Sequence, residues 1–391
     1  MIKLISRILV LIIVFQTFND NLFTEYFGPD SLKISILVFT LFFVKYFFHF
    51  NPFIKINKNI LMLCLAMIIC SFVNYNNLFS TLESFLKPFV IIIFFVVFSQ
   101  YKDIKWLIIV ILFSLFYSSL YCLIREDFVT EWTFRKTGGT GDPNEFSTGV
   151  LFGLGLLWGI YFKYKKFFVL LLFLSLFFTT ALLAAGSKSA FLTLFFLIFI
   201  LIFLRAETVS FFNKIRLYAG GLLVLSILSF TFYTLNKDLF FLFIDRFDSS
   251  YTAELRLENW RKGFILFKDN WLFGLGVDNY NPTMENTFVE IDEGSTAAHN
   301  MFLKALYELG IFGFIPFILI FKKMLYMMFS KQRHYIVLLT FTPLLIMGLT
   351  LSLTFEKYLW LVIALAFNSY FIQFFENISS KHENSTVYTE S

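Results

Sequence analysis

Apolar runs of near-membrane length recur from one end of this chain to the other, and nothing else in the sequence restricts its fold so strongly. A helix needs roughly 20 mostly apolar residues to cross a bilayer, and hydrocarbon tolerates only backbone whose polar groups are satisfied internally. Twelve runs approach that length, at about 4–18, 31–50, 59–73, 84–99, 104–124, 145–162, 167–185, 189–205, 215–235, 299–321, 334–353 and 357–376; the first and third are short. Hydrophobic residues make up 58% of the chain, with 59 phenylalanines, against about 45–50% in soluble domains. The expectation is an all-α polytopic integral membrane protein with about 12 transmembrane helices. It forms a single membrane domain over 1–391 and ends in a short tail, 377–391. Cys64, Cys70 and Cys122 all lie in apolar runs, with neither a disulfide framework nor metal-ligand spacing. The first run follows Lys3 and Arg7 as a signal peptide would. "TFNDNLF" stands where a small-residue cleavage site belongs, so the run reads as a retained helix.

Lysine and arginine divide unequally between the two sides that these runs define. One set of loops and ends carries Lys3, Arg7, Lys55, Lys58, Lys102, Lys105, Lys163, Lys165, Lys166, Arg205, Lys214, Arg216, Lys322, Lys323, Lys331, Arg333 and Lys381. The short loops of the opposite set carry only Arg125, Arg135, Lys136, Lys188 and Lys357. The positive-inside rule places the richer set, and with it both termini, in the cytoplasm.

Two outer segments are too polar to be plain connectors: 125–144, and the loop 236–298 between the ninth and tenth runs. Within the latter, Leu257, Trp260, Phe264, Phe267 and Trp271 repeat at spacings of three and four, with Glu258, Arg261, Lys262 and Asp269 opposite. That pattern predicts an amphipathic helix. It either lies along the outer membrane–water boundary or simply caps the bundle.

There is no phosphate-binding Gly-Lys-Ser loop and no zinc motif, so neither metal nor cofactor is expected, and nothing suggests a nucleic-acid partner. Any chemistry must use the outer loops and helix mouths. His299 stands at one such mouth, in "STAAHNMFLKALYELGIFGF". A helix starting there would align His299, Leu303, Leu306, Gly310 and Gly313 on one face, and the glycines would let a neighbouring helix approach closely. The imidazole could act as a base or a phosphate donor near neutral pH, or simply hydrogen-bond a loop carbonyl. Arg256 opens the amphipathic helix, and Arg135 and Lys136 precede "TGGTGDPN". Arginine grips phosphate through a planar fork and keeps its charge. Loop 236–298 holds 11 Asp and Glu against 6 Lys and Arg, so anion binding there would fall to particular arginines. In "DPNEF", Asp142 reads as a helix cap, Pro143 as the first position and Glu145 as the third. "AAGSKSA" around Lys188 is an outer hairpin. Lys304 and Glu308, spaced i, i+4, are either functional intramembrane charges or a plain ion pair.

Taken in order, these elements resemble the O-antigen ligase and O-antigen polymerase superfamily of bacterial membrane glycosyltransferases. The resemblance rests on "GDPNEF", "GSKSA", "RLENWRKGFILFKDNWLFGLGVDNY" and "HNMFLKALYELGIFG", the last fitting a pattern of His-Asn, nine residues, Gly, two residues, Gly. It covers roughly 135–320. One departure is Ser187-Lys188, where the family commonly has Ser-Arg.

The resemblance implies a metal-independent transfer of glycan from undecaprenyl pyrophosphate to a sugar acceptor at the periplasmic face of the inner membrane. Arg256 and Arg135 would bind the pyrophosphate. His299 would orient or deprotonate the acceptor hydroxyl or contact the phosphate, with Lys136, Lys188, Asn300 and Asn144 as further substrate contacts. Repeat-unit polymerase is preferred to ligation onto a lipid A–core acceptor, on family-level frequency. Membrane lipid and a chain-length regulator would be further partners. A lipid-linked glycan flippase or transporter is the remote alternative, disfavoured because no paired repeat with broken helices is visible.

Overall fold

The computed structural model describes residues 2–27, 57–74, 78–124, 136–140, 142–165, 167–206, 234, 251–288, 296–329 and 334–376. The runs 31–50 and 215–235, Arg135, and the tail 377–391 lie outside those residues, apart from Thr234. Among the described residues all regular structure is helical. In chain order the helices are α1 (Ile2–Phe18), α2 (Asp20–Phe27), α3 (Lys58–Val73), α4 (Leu78–Ser99), α5 (Ile104–Ile124), α6 (Pro143–Tyr164), α7 (Phe168–Ala185) and α8 (Lys188–Ala206). They continue as α9 (Tyr251–Asp269), α10 (Tyr280–Thr287), α11 (Met301–Phe329), α12 (Tyr335–Gly348), α13 (Lys357–Ala366) and α14 (Ser369–Glu376).

Four of these, α5, α6, α7 and α11, are long and apolar enough to cross a membrane, and a fifth span arises if α13 and α14, bent by 64°, count as one. Shorter apolar helices fall at Leu4–Phe18, Lys58–Val73, Lys87–Ser99, Lys188–Ile202 and Tyr335–Gly348, each on one of the expected runs. The outward faces are greasy: on α7, Val169 is 78% and Phe173 62% exposed. Apolar surface of that extent is stable against lipid rather than water.

Inside, α6 lies against α12, and α3 runs along α11. Closest approach occurs at Gly155 of α6, where any side chain would strike the Leu339 carbonyl of α12; small residues permit such contacts between membrane helices. One end of the bundle is tied by Arg7, which donates to Asp103 through Nε (3.0 Å) and Nη2 (2.7 Å), and by the His334–Glu376 pair. Asn368 joins it by donating to the carbonyls of Phe98 and Tyr101. At the other end Lys357 contacts Asp20 (3.2 Å), Thr354 donates to the Met301 carbonyl (2.9 Å), and Asn300 donates to the Leu349 carbonyl (3.2 Å). The described candidate site residues all belong to this second end.

The expected face through His299, Gly310 and Gly313 does not form. His299 precedes the helix in a left-handed conformation (φ 46°), and Gly310 interrupts α11 with φ 59° and ψ −170°. That backbone region is essentially open to glycine alone. The break admits a loop, not a neighbouring helix. Ile311 and Phe312 N–H donate to the carbonyls of Trp271 and Leu272 (2.9 and 3.0 Å), and Leu275 and Gly276 N–H donate to those of Tyr307 and Glu308 (both 2.9 Å). Gly274 (φ 67°) passes directly against Gly310. The orphan groups of a broken span are thus satisfied by the segment 271–276 of the outer loop. At Gly313 the nearest neighbour is the helix's own Leu309 side chain. The structure therefore holds broken helices that the sequence did not reveal, at Gly310 and between α13 and α14.

Candidate functional site

The outer helix α9 forms over the predicted stretch, but it is rolled relative to the predicted stripe. Its inward face presents buried Asn259, the Trp260 indole and Gly263 to a small apolar core of Leu266, Leu275, Tyr280, Met284, Ala298 and Tyr307. Gly263 is required there: a side chain would collide with the Tyr307 ring and the Tyr280 hydroxyl. The two tyrosine rings stack at 5.3 Å and donate to the α9 carbonyls of Asn259 (2.9 Å) and Trp260 (3.0 Å). Burial pushes the Tyr280 phenol well above its ordinary range, with Tyr307 and Glu308 adding to it, so it stays a hydrogen-bond donor. Leu257 (54% exposed), Phe264 and Trp271 (53%) remain outside. The helix therefore caps the bundle with one face and keeps an apolar edge at the surface.

This packing sets the position of His299. Trp260 Nε1 donates to the Ala298 carbonyl (2.7 Å), and Asn259 Nδ2 donates to the Ala297 carbonyl (3.3 Å). The residues immediately before His299 are thus fixed to the turn of α9 that follows Arg256. Asn300 then starts α11: its Oδ1 accepts from Phe302 N–H (2.9 Å) and Leu303 N–H (3.1 Å). The Asn300 side chain serves the cap through Oδ1 and the Leu349 carbonyl through Nδ2.

Arg256 and His299 lie within electrostatic reach of one another, and Asp142 reaches His299 from α6. Burial lowers the imidazole below its ordinary range, Arg256 lowers it further, and Asp142 opposes them. His299 is therefore neutral at pH 7, with a ring nitrogen able to accept a proton. Burial also lowers the Arg256 guanidinium, from a starting value so high that the charge remains.

The other expected residues arrive from two further elements. Asp142 caps α6 as the sequence suggests, accepting Asn144 N–H (2.6 Å) and Glu145 N–H (3.0 Å). Ser187 donates to Asn144 Oδ1 (2.8 Å) and caps α8 through Ala190 N–H (3.3 Å). This joins "GDPNEF" to "GSKSA", with Lys188 as the first residue of α8. Lys136 lies apart, its Nζ donating to the Leu123 carbonyl (3.4 Å). The N-termini of α6, α8 and α11 thus open on one end of the molecule, and such termini favour anions. Lys304 contacts Asp278 (3.4 Å), which also pairs with Lys87, and Glu308 accepts the Tyr280 N–H (3.3 Å). Lys87, Asp278 and Glu356 also carry charge at this end. Sequence reading overlooked them because they stand far apart in the chain and in no motif.

No curated protein matches this chain. Residues 168–318 match the O-antigen ligase family. The matched stretch includes "GSKSA", Arg256, the Trp260–Gly276 segment and the His299–Gly313 motif, and it begins after "GDPNEF". Residues 168–318 thus form a stretch similar to the O-antigen ligase family, which supports a place in the O-antigen ligase and polymerase superfamily.

Proposed function

We propose that this protein transfers a glycan from undecaprenyl pyrophosphate to a sugar hydroxyl at the periplasmic face of the inner membrane, acting as a repeat-unit polymerase. The observation that carries the reading is the pairing of a charged Arg256 with a neutral His299, fixed to each other by the α9 contacts to Ala297 and Ala298. In the proposed step the acceptor hydroxyl gives its proton to His299, and its oxygen attacks the anomeric carbon of the donor sugar. The bond from that carbon to the pyrophosphate oxygen breaks, and the electron pair leaves with the lipid pyrophosphate. Arg256, with Arg135 from the preceding outer loop, takes up the charge developing on the departing oxygen. One preorganised donor of this kind is worth roughly 3–4 kcal/mol, and a base in reach of the hydroxyl about 10²–10⁴-fold.

Membranes carrying the full-length protein should convert the lipid-linked repeat unit into polymer. His299→Ala and Arg256→Ala should abolish conversion with the protein still present and folded, and Arg256→Lys should recover little, because the fork is lost. Normal product from both alanine variants would overturn the assignment. A deletion strain separates the two acceptors: loss of a polymerase leaves core carrying one repeat unit, whereas loss of a ligase leaves bare core.

A further inference from the structure

At the end of the bundle opposite Arg256 and His299, three ammonium groups from three different elements rest on the rings of one segment. Lys102, in the turn between α4 and α5, lies 5.7 Å from the Tyr370 ring centre. Lys163, in the last turn of α6, lies 3.7 Å from that of Phe374, and Lys323 of α11 lies 4.4 Å from that of Phe367. Tyr370 and Phe374 are spaced i, i+4 and share a face of α14. Phe367 stands at the end of α13, where the chain bends by 64°. Behind that face α14 is anchored. Phe371 and Phe375 are buried, and Tyr335 donates to the Phe375 carbonyl (2.7 Å). Asn368 accepts Phe371 N–H (3.0 Å), and its Nδ2 donates to the Tyr101 carbonyl (2.9 Å), one residue before Lys102.

A ring face holds an ammonium in place without neutralising its charge, and the N–H groups that point away from the ring can still donate. The acids described at this end are engaged elsewhere: Asp103 accepts from Arg7, and Glu376 pairs with His334. Among the described residues none of the three lysines contacts a carboxylate. The charged neighbour of Lys163 is a further cation, Lys105. Like charges gathered on a rigid platform draw an anion to it. The surface beside them is apolar and faces outward. Tyr164 and Phe168 are both exposed; the Tyr164 ring meets Phe374 edge-on at 6.2 Å, and Phe168 lies 5.6 Å from the Tyr161 ring. Phe168 opens the greasy face of α7 that carries Val169 and Phe173. A ligand suited to both features carries a phosphate on a hydrocarbon body. A soluble phosphate would use only the cations.

We propose that Lys102 and Lys163, set on Tyr370 and Phe374 with Lys105 and Lys323 at the flanks, bind the phosphate of an anionic phospholipid in the leaflet opposite Arg256 and His299. The acyl chains lie along the exposed face of α7. The phosphate accepts from both ammonium groups and so links the α4–α5 turn to the end of α6 across α14. This site is independent of the transferase reading.

The test uses full-length protein purified in a neutral detergent and titrated with phosphatidylglycerol or phosphatidylcholine, with bound lipid counted by native mass spectrometry. The wild type should prefer phosphatidylglycerol. Lys102→Gln and Lys163→Gln should each weaken that lipid about fivefold, and together about 30-fold, as expected for lysines at an anionic headgroup. Phe374→Leu keeps every charge and loses only the ring under Lys163, so it should weaken phosphatidylglycerol about twofold to fivefold. Phosphatidylcholine binding should stay unchanged in all of these variants, which separates loss of the site from misfolding. Lys322→Gln removes the same charge from the same end of the bundle, where the lysine sits on no described ring, and should bind phosphatidylglycerol as the wild type does. Glycerol phosphate, which has the anion without acyl chains, should not displace the lipid. Equal losses in Lys322→Gln and Lys163→Gln, or no preference for phosphatidylglycerol in the wild type, overturn the site. Displacement by glycerol phosphate at the lipid's own concentration overturns a lipid as its occupant.

Discussion

Gly310→Ala tests whether the broken helix holds the site together. At φ 59° and ψ −170° an alanine carries about 1–3 kcal/mol of backbone strain, and its Cβ would land on the Leu272 carbonyl. The chain can relieve this only by letting segment 271–276 retreat. Retreat gives up the four backbone hydrogen bonds that Ile311, Phe312, Leu275 and Gly276 donate across the break, at about 0.5–1.5 kcal/mol each. The cheaper route costs the docked arrangement about 1–3 kcal/mol, so the undocked population rises about 5- to 150-fold. Undocking frees α9, and with it Arg261, Lys262 and Lys268, to trypsin. The assay is limited trypsin digestion of nanodisc-embedded protein, followed in parallel with glycan transfer. Cleavage within 261–268 should accelerate and transfer should fall together. Gly149→Ala in α6 is the control for an added methyl, since its Cβ would meet only the outer ends of the Phe18 and Leu115 side chains at 3.1 and 3.2 Å, and it should digest as wild type. Wild-type trypsin lifetimes for Gly310→Ala would refute the idea that the break anchors the loop.

Further outcomes follow from the same geometry. Transfer should rise with pH to a plateau, because His299 acts as the neutral base, with a midpoint below the ordinary histidine value on account of burial first and Arg256 second. Asp142→Asn keeps a capping oxygen but removes the charge that opposes those effects, so the midpoint of the pH–rate profile should move further toward acid; a shift toward alkali would contradict the arrangement. Trp260→Phe removes the indole donor to the Ala298 carbonyl, worth about 1 kcal/mol, and should lower transfer severalfold with expression unchanged. Gly155→Val should push α6 off α12 at the Leu339 carbonyl and depress the melting temperature in detergent, as overpacking of close helix contacts does.

Period and composition are local properties, and the helices of this fold follow from them. α5, α6 and α7 fall on runs read directly as apolar, and Asp142–Pro143 marks the start of α6 through capping chemistry that needs no neighbours. The meaning of "His-Asn, nine residues, Gly" was not local. Gly310 looks like a packing glycine in any helical projection, and only the arrival of Gly274 and Leu272 at the same point makes it a break. The rolled face of α9 has a similar origin. Its large side chains suggest a stripe through Leu257, Phe264 and Trp271, but Gly263 decides the buried side, because only a residue without a side chain fits under Tyr280 and Tyr307. Of the site itself, His299 and Arg256 were legible as rare polar types at a helix mouth. Glu356 was not, since it lies more than 200 residues from Glu145 in the chain and stands in no motif.

The proposed transfer places two electrostatic requirements on one site. A pyrophosphate needs a fixed positive charge, and the base needs an imidazole that is not already protonated; Arg256 serves both, since its charge also lowers His299. Arg256 rides on α9, which the Trp260 indole and the backbone contacts across the Gly310 break hold in place. Leu257, Phe264 and Trp271 on or just after that same helix put exposed apolar surface beside the charge. A carrier whose tail stays in the bilayer and whose headgroup must reach a cation at the surface requires that combination.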